Sequence, residues 1–346
     1  MPTVILTTRC PNSCEWCFAR AKMEAYRARG IFEVGWEDFV AVVDFHERSG
    51  FGNINLLGGD PMLHSRFLDI LDYLRERGFS TQVGTTGAVP ARLVDRLAER
   101  KYPCLEFGVN STSYFDYEPA KRKSVDYFMS HIGYPVGISY TFTDRDVREG
   151  SIHPLLDRIA MIHKFSLVPH ITLQIAVPHI GTRCFVPFDG YRKVYELLKR
   201  WISVLGKNGI THHLDCHCIP KCQLPEDGGA LPFAKSTCTS FVFDIGPERD
   251  IWPCFPLSER TYRLDQFRDL NDVQTFFSAL LGSEDILYEE KCVACPEREN
   301  RTCHGGCRGF QVLRRGENRP SPPPDWKEST ARIHDDVRYE EGVIRP

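Results

Sequence analysis

The sequence predicts an α/β fold built on a parallel sheet, joined to a smaller cysteine-rich region. Three observations carry this. From residue 3 to about 206, short apolar segments with strand character alternate with amphipathic helical stripes. Two of the strands alternate apolar and polar residues cleanly. Beyond Gly206 the alternation stops and nine cysteines crowd into the remaining chain. Strand–helix repetition of this kind implies parallel strands joined by right-handed crossovers.

The strand candidates are residues 3–8, 53–57, 81–85, 104–109, 136–142 and 170–177. In the last two the apolar positions are Val136, Ile138, Tyr140 and Phe142, then Ile171, Leu173, Ile175 and Val177. Helical stripes fall between them. Trp36, Phe39, Val40 and Val43 form one; Phe67, Leu68, Leu71 and Leu74 the next. Ile152, Leu155, Leu156 and Ile159 repeat the spacing, as do Tyr191, Val194, Tyr195, Leu198 and Trp201. Gly78 and Gly206 stand where helix C-caps are wanted. The organisation is therefore 1–206 as the α/β domain, 207–317 as the cysteine-rich domain and 318–346 as a proline-rich, charged tail.

At 346 residues the chain can bury a large α/β core. Apolar content of 42% and charged content of 26% are ordinary for a water-soluble domain. A formal net charge of −3 gives no basic excess to hold a phosphate backbone, so nucleic acid is not an expected partner. No run of about 18 apolar residues and no charged-then-apolar leader is present, so neither a membrane span nor a signal peptide is expected. Fourteen cysteines grouped in metal-like spacings fit iron–sulfur ligation in a reducing cytoplasm better than a disulfide framework.

The most informative segment is Cys10-Pro-Asn-Ser-Cys14-Glu-Trp-Cys17, directly after the first strand. Three thiols on one short loop can each ligate one iron of a four-iron cubane, leaving the fourth iron without a protein ligand. An iron left open can bind a small molecule and pass it an electron. Trp16 adds a flat apolar face beside that corner, where an adenine could stack. A zinc knuckle is the competing reading, since zinc sites also use closely spaced cysteine pairs.

With the aromatic Trp16 before its last thiol, this loop resembles the signature of the radical S-adenosylmethionine (SAM) superfamily. Leu56-Leu57-Gly58-Gly59-Asp60-Pro61, after the second strand, resembles that family's Gly-Gly-Glu-Pro motif with Asp in place of Glu. The resemblance implies a curved, partial (β/α)6 barrel with its chemistry at the C-terminal ends of the strands. It implies a SAM site built from Gly58, Gly59, Asp60 and Pro61 for the amino group, and from Thr86, Asn110, Ser111, Ser139 and Gln174 at or within later strands. Thr85-Thr86-Gly87 resembles the family's Thr-Asn-Gly. Each of these polar residues also has an ordinary structural role available, satisfying local backbone groups. Cys184, in the loop after residues 170–177, is a candidate catalytic hydrogen-atom donor; the plainer reading is an incidental loop cysteine. Asp144, Arg145 and Asp146 read as a solvated charge run able to hold a polar substrate.

Cys292-x2-Cys295-x7-Cys303-x3-Cys307, preceded by Cys238 and Cys254, looks like the SPASM or twitch extension of radical SAM enzymes, which carries auxiliary four-iron clusters. That resemblance implies Cys222, Cys238, Cys254 and Cys307 on one auxiliary cluster and Cys292, Cys295 and Cys303 on another. The family's final cysteine after the Cys307 equivalent is absent. Cys216, Cys218 or His304 would close the second cluster, or only one exists; a zinc ribbon at Cys292, Cys295, Cys303 and Cys307 is the alternative.

The family's chemistry implies reductive cleavage of SAM to a 5′-deoxyadenosyl radical, with a flavodoxin or ferredoxin as electron donor and hydrogen abstraction from substrate. Auxiliary clusters favour an oxidative outcome, hence an oxidoreductase. The leading expectation is modification of a ribosomally made peptide, although the chain begins at the first strand with no fused leader-binding domain. Dehydrogenation, decarboxylation or epimerisation of a sugar, nucleoside or other small metabolite is the second reading. A non-enzymatic iron–sulfur or zinc protein is the third.

Overall fold

The computed structural model describes residues 2–178, 184–215, 219–224, 243–283, 292, 294–300, 302–303 and 305–310. Cys216, Cys218, Cys238, His304 and the proline-rich tail lie outside them. The chain divides into two compact units. One comprises Met1–Gly137 with Thr239–Asp285, the other Ile138–Cys238 with Ile286–Pro346.

In the first unit, β1 (Thr3–Thr7), β2 (Asn53–Gly58), β3 (Ser80–Thr85) and β4 (Leu105–Asn110) pair in parallel in that order. Between them run α1 (Arg20–Ala28), α2 (Trp36–Arg48), α3 (Phe67–Glu76) and α4 (Ala91–Ala98), and α5 (Pro119–His131) follows β4. One sheet face is apolar and packs on these helices: Ile54, Leu56, Val83, Phe107 and Val109 are buried, as are Phe39, Val43, Leu71, Leu97 and Phe128. Alternation along each strand sends the intervening residues to the opposite face. There Gly84 lies in register with Gly108, and a methyl placed on Gly108 would meet nothing within 4 Å. The sheet continues past β1 through three short strands. Of these, β8 (Asp244–Ile245) runs parallel to β1, while β9 (Asp250–Trp252) and β10 (Tyr262–Arg263) are antiparallel. Flanked on both sides, β1 is buried along its whole length.

The second unit holds β5 (Val136–Phe142), but for its first two residues, with β6 (His170–Ile175) and β7 (Thr211–Asp215), all parallel. Its helices are α6 (Asp144–Glu149), α7 (His153–Phe165) and α8 (Tyr191–Lys207). Trp201 of α8 is fully buried, with ring centroids 5.1 Å from Tyr140 and 4.5 Å from Phe142.

Six strand–helix repeats emerge as predicted, with strand ends within two residues of expectation. Three details differ. First, β7 follows α8, where the sequence reading has regular alternation ending; its His212-His213 pair hides an otherwise ordinary parallel strand. Second, Gly206 lies inside α8 and the left-handed residue beyond the helix is Gly209 (φ 66°), whereas Gly78 (φ 76°) does terminate α3 as expected. Third, Asp144–Asp146 open α6; Arg145 is exposed, but the two aspartates are not simply solvated. Asp146 accepts from the Thr143 amide (2.7 Å) and hydroxyl (2.9 Å) and from the Tyr140 phenol, and Asp144 is buried.

Candidate active site

The cysteine loop leaves β1 through Thr7, Thr8 and Arg9, and this base is pinned from several directions. The Thr7 hydroxyl and the Thr8 amide both donate to Phe32 O (2.8 Å each), Arg27 donates to Thr8 O (2.8 Å), and Arg9 pairs with Glu33 (3.0 Å). On the other side lies the Gly-Gly turn after β2. The Gly59 amide donates to Thr7 O and the Asp60 amide to Arg9 O, each at 2.7 Å. This contact explains the glycines. A Cβ on Gly58, whose φ is +146°, would sit 2.4 Å from Thr7 O, and one on Gly59 would sit 2.1 Å from Arg9 O. The two glycines that recognise the family motif are thus required by close approach to the cysteine loop itself.

Asp60 is completely buried. Its carboxylate receives the Met62 amide (3.2 Å), the Thr85 hydroxyl (2.9 Å), the Thr86 amide (2.9 Å) and the Thr86 hydroxyl (2.6 Å). Burial raises its pKa, and these donors pull it back. The shorter Asp thereby ties the end of β2 to the end of β3, and both Thr86 polar groups are spent on it. Pro61 is buried at the first position of a short 3-10 turn, where its missing N–H costs nothing.

Within the loop, the Cys17 amide closes a turn onto Cys14 O (3.1 Å), and Arg20 donates to Ser13 O (2.9 Å) and to Cys14 O. Cys10 lies at the exposed rim, while Cys14, Trp16 and Cys17 are half-buried. Burial pushes the Cys10 thiol up to about 11 and raises those of Cys14 and Cys17, with the neighbouring sulfurs of the loop opposing ionisation of Cys10 and Cys14. Crowded thiols of this kind become thiolates readily only when positive charge arrives among them. Among the described residues no three His, Cys, Asp or Glu side chains converge tightly enough to hold a single metal ion. The three sulfurs are neighbours on one loop.

The segment after β4 covers the loop. Asn12 donates its side-chain amide to the Tyr117 phenol (2.6 Å), Lys121 donates to Pro11 O (2.7 Å), and the Ser113 side chain bonds Cys14. Asn12 Oδ1 is buried with no partner. An orphaned acceptor costs about 1–3 kcal/mol unless a ligand satisfies it, so the loop fits a site completed by a bound molecule carrying a donor. Asn110 uses its Oδ1 to accept the Thr112 amide (3.1 Å), and Ser111 is fully buried.

The remaining predicted residues belong to the second unit. Ser139 lies on the face of β5 away from Trp201 and is half-buried. Gln174 is engaged on both sides, accepting from Thr141 (3.1 Å) and donating to Asp215 (3.3 Å). Cys184 is half-buried and in no disulfide.

The described residues between Cys292 and Phe310 carry a short helix. Cys295 caps α10 (Pro296–Glu299), and the Cys303 amide bonds Glu297 O (3.1 Å). One contact recurs at both ends of the chain. The amide two residues after a cysteine donates to its sulfur at 3.4 Å, as Asn12 to Cys10, Gly305 to Cys303 and Gly309 to Cys307. Such donors stabilise thiolate charge and are the kind that tune iron–sulfur sites. The Lys221 amide also reaches Cys303 Sγ (3.4 Å), which sets the turn bearing Cys222 beside this motif. Cys292 and Cys303 are buried, Cys295 and Cys307 half-buried and Cys222 exposed. Cys254, half-buried, belongs to the first unit.

Sequence reading missed Asn12, Tyr117, Ser113 and Lys121, because nothing in a local pattern marks side chains that meet only when the fold brings separate segments together. Thr85 as a partner of Asp60 was missed for the same reason.

The backbone resembles several solved structures. SuiB from Streptococcus suis bound to S-adenosylmethionine is 15% identical with a TM-score of 0.62, covering 92% of this chain and 76% of that one. The same enzyme bound to its precursor peptide SuiA is 16% identical with a TM-score of 0.63, covering 92% and 73%. The enzyme anSMEcpe with bound AdoMet and Cp18Cys peptide is 15% identical with a TM-score of 0.53, covering 95% of each chain. At these identities the likeness is one of fold, in accord with the partial (β/α)6 barrel. No curated protein matches the sequence. Residues 4–132, which contain the cysteine loop, the Gly-Gly turn and the first four strands, match the model of the Radical SAM superfamily. The likeness to that superfamily therefore lies in residues 4–132.

Proposed function

We propose that this protein is a radical SAM oxidoreductase that oxidatively modifies a peptide, with a four-iron cluster held by Cys10, Cys14 and Cys17. The observation that carries the reading is the cysteine loop after β1, clamped at its base by the Gly58-Gly59 turn, inside a matched radical SAM domain. A four-iron cluster bound there would supply the one-electron reduction that cleaves SAM and makes it able to take hydrogen from substrate. The residues of this chain do the rest. Cys10, Cys14 and Cys17 would hold the cluster. Gly58, Gly59 and the backbone around Asp60 and Pro61 line the strand end where the amino group would lie. Trp16 offers an adenine its ring face, and Thr86, Asn110, Ser111, Ser139 and Gln174 are the polar residues proposed at or within the later strands, although Thr86 and Gln174 are already hydrogen-bonded within the protein.

The peptide reading is supported by the complexes of structurally similar proteins with peptides, SuiA on SuiB and Cp18Cys on anSMEcpe. Residues 207–317 are proposed as a SPASM- or twitch-like domain whose Cys222, Cys238, Cys254, Cys292, Cys295, Cys303 and Cys307 hold auxiliary clusters. These would accept the electron left after substrate oxidation; a flavodoxin or ferredoxin would deliver the first one. Cys184 is the candidate hydrogen donor if the outcome is redox-neutral.

Iron and sulfide content tests the assignment. Anaerobic wild-type protein compared with the Cys10→Ala/Cys14→Ala/Cys17→Ala variant should differ by about four irons, with about eight retained if both auxiliary clusters form. Equal iron in the two proteins would overturn it.

A further inference from the structure

We propose that Tyr117 is a positioning residue for SAM cleavage, acting through Asn12 on the geometry and reduction potential of the cysteine-loop cluster. The inference rests on the cluster reading above. Its evidence is a clasp between two segments about a hundred residues apart. The phenol oxygen of Tyr117 accepts the Asn12 side-chain N–H at 2.6 Å, and the Asn12 main-chain N–H donates to Cys10 Sγ at 3.4 Å. One residue thus joins the phenol to a cluster ligand. The ring is itself fixed. Lys121 lies 4.7 Å from its centroid and anchors to Pro11 O, the residue between Cys10 and Asn12, and the Tyr117 amide bonds Tyr114 O (3.3 Å).

Two hydrogen-bonding atoms in this clasp are unspent. Asn12 Oδ1 is buried without a partner, and with the amide assigned as it is, the phenol hydrogen has no acceptor among the described residues. By holding Asn12, the neutral phenol steadies the Asn12 main-chain N–H on Cys10 Sγ, and an N–H donor on a thiolate favours the more negative, reduced state of an iron–sulfur cluster, so the clasp raises the potential. Nothing in the local sequence around Tyr117 marks this role.

Tyr117→Phe keeps the ring, its contact with Lys121 and the backbone bond, and removes only the oxygen. The holoenzyme variant, its auxiliary clusters intact, would be titrated anaerobically with the reduced cysteine-loop cluster followed by electron paramagnetic resonance, alongside iron content and SAM affinity. Retained iron with a potential shifted negative supports the proposal; a tenfold fall in the reduced-to-oxidised ratio at fixed potential corresponds to about 59 mV for one electron. Asn12→Ala should produce the same shift, and the double variant should add nothing further. Retained iron with an unchanged potential and spectrum overturns it. Loss of iron from Tyr117→Phe also overturns it, because the role would then be assembly and not tuning. Failure of the underlying cluster reading looks different: the wild-type protein itself would show no four-iron signal at this loop.

Discussion

Gly59 and Gly108 are both strand-end or strand glycines in the first unit, yet their surroundings make opposite demands. A Cβ at Gly59 would lie 2.1 Å from the Arg9 carbonyl, which is backbone and cannot turn away. Gly59→Ala should therefore cost about 1–3 kcal/mol and shift the cysteine loop, read as a lower denaturation midpoint together with lost iron. Gly108 faces open space, so Gly108→Ala should leave stability within about 0.5 kcal/mol. If the open side receives SAM, this variant weakens SAM binding without unfolding anything, and isothermal titration would separate the two effects. Asp60 shows the same logic for a polar group. Asp60→Ala strands the buried Thr85 and Thr86 donors, with an expected cost of about 1–3 kcal/mol measured by urea denaturation. The motif was legible in the sequence, but this use of its acidic side chain was not, because Thr85 and Thr86 come from the next strand over.

Among the elements, α2 carries a built-in pH dependence. His46 is fully buried, its Nδ1 lies 2.8 Å from Val42 O, and its Nε2 has no partner. Burial holds the imidazole below the ordinary value of 6.5, opposed only by the bond to Val42. The unfolded chain then takes up a proton first as pH falls, so the contribution is fully present above about pH 6.5 and is lost below it. His64, whose pKa burial also lowers, acts in the same direction. Tm measured between pH 7.5 and 5.5 should fall, and His46→Leu should flatten that slope. Elements with strong periodicity, such as α2, α3, α7 and α8, were plain in the sequence. α4 buries only Val94 and Leu97, too few to make a stripe, and β7 was hidden by its histidines.

For the molecule as a whole, the cysteine loop is tied to residues more than 220 positions away. Lys22 and Tyr26 of α1 both bond Asp250 Oδ2 on β9, and Lys22 lies 4.4 Å from the Trp252 ring. Phe18, next to Cys17, packs edge-on against Phe255, next to Cys254, at 4.8 Å. Asp250 and Lys22 are both largely shielded from water. Asp250→Ala would leave a buried ammonium and phenol uncompensated, costing about 3–5 kcal/mol and loosening α1, as read by chemical denaturation and hydrogen exchange along residues 18–28. No sequence pattern marks such a tie: the fold class follows from periodicity, but which distant residue meets a helix is decided by topology.

The central claim is that Cys10, Cys14 and Cys17 hold a redox-active cluster with one coordination position left for SAM. Incubating anaerobic, iron-replete protein with dithionite and SAM measures it directly. Wild type should release 5′-deoxyadenosine and Cys10→Ala should release none; no release from wild type, or equal release from the variant, would contradict the account.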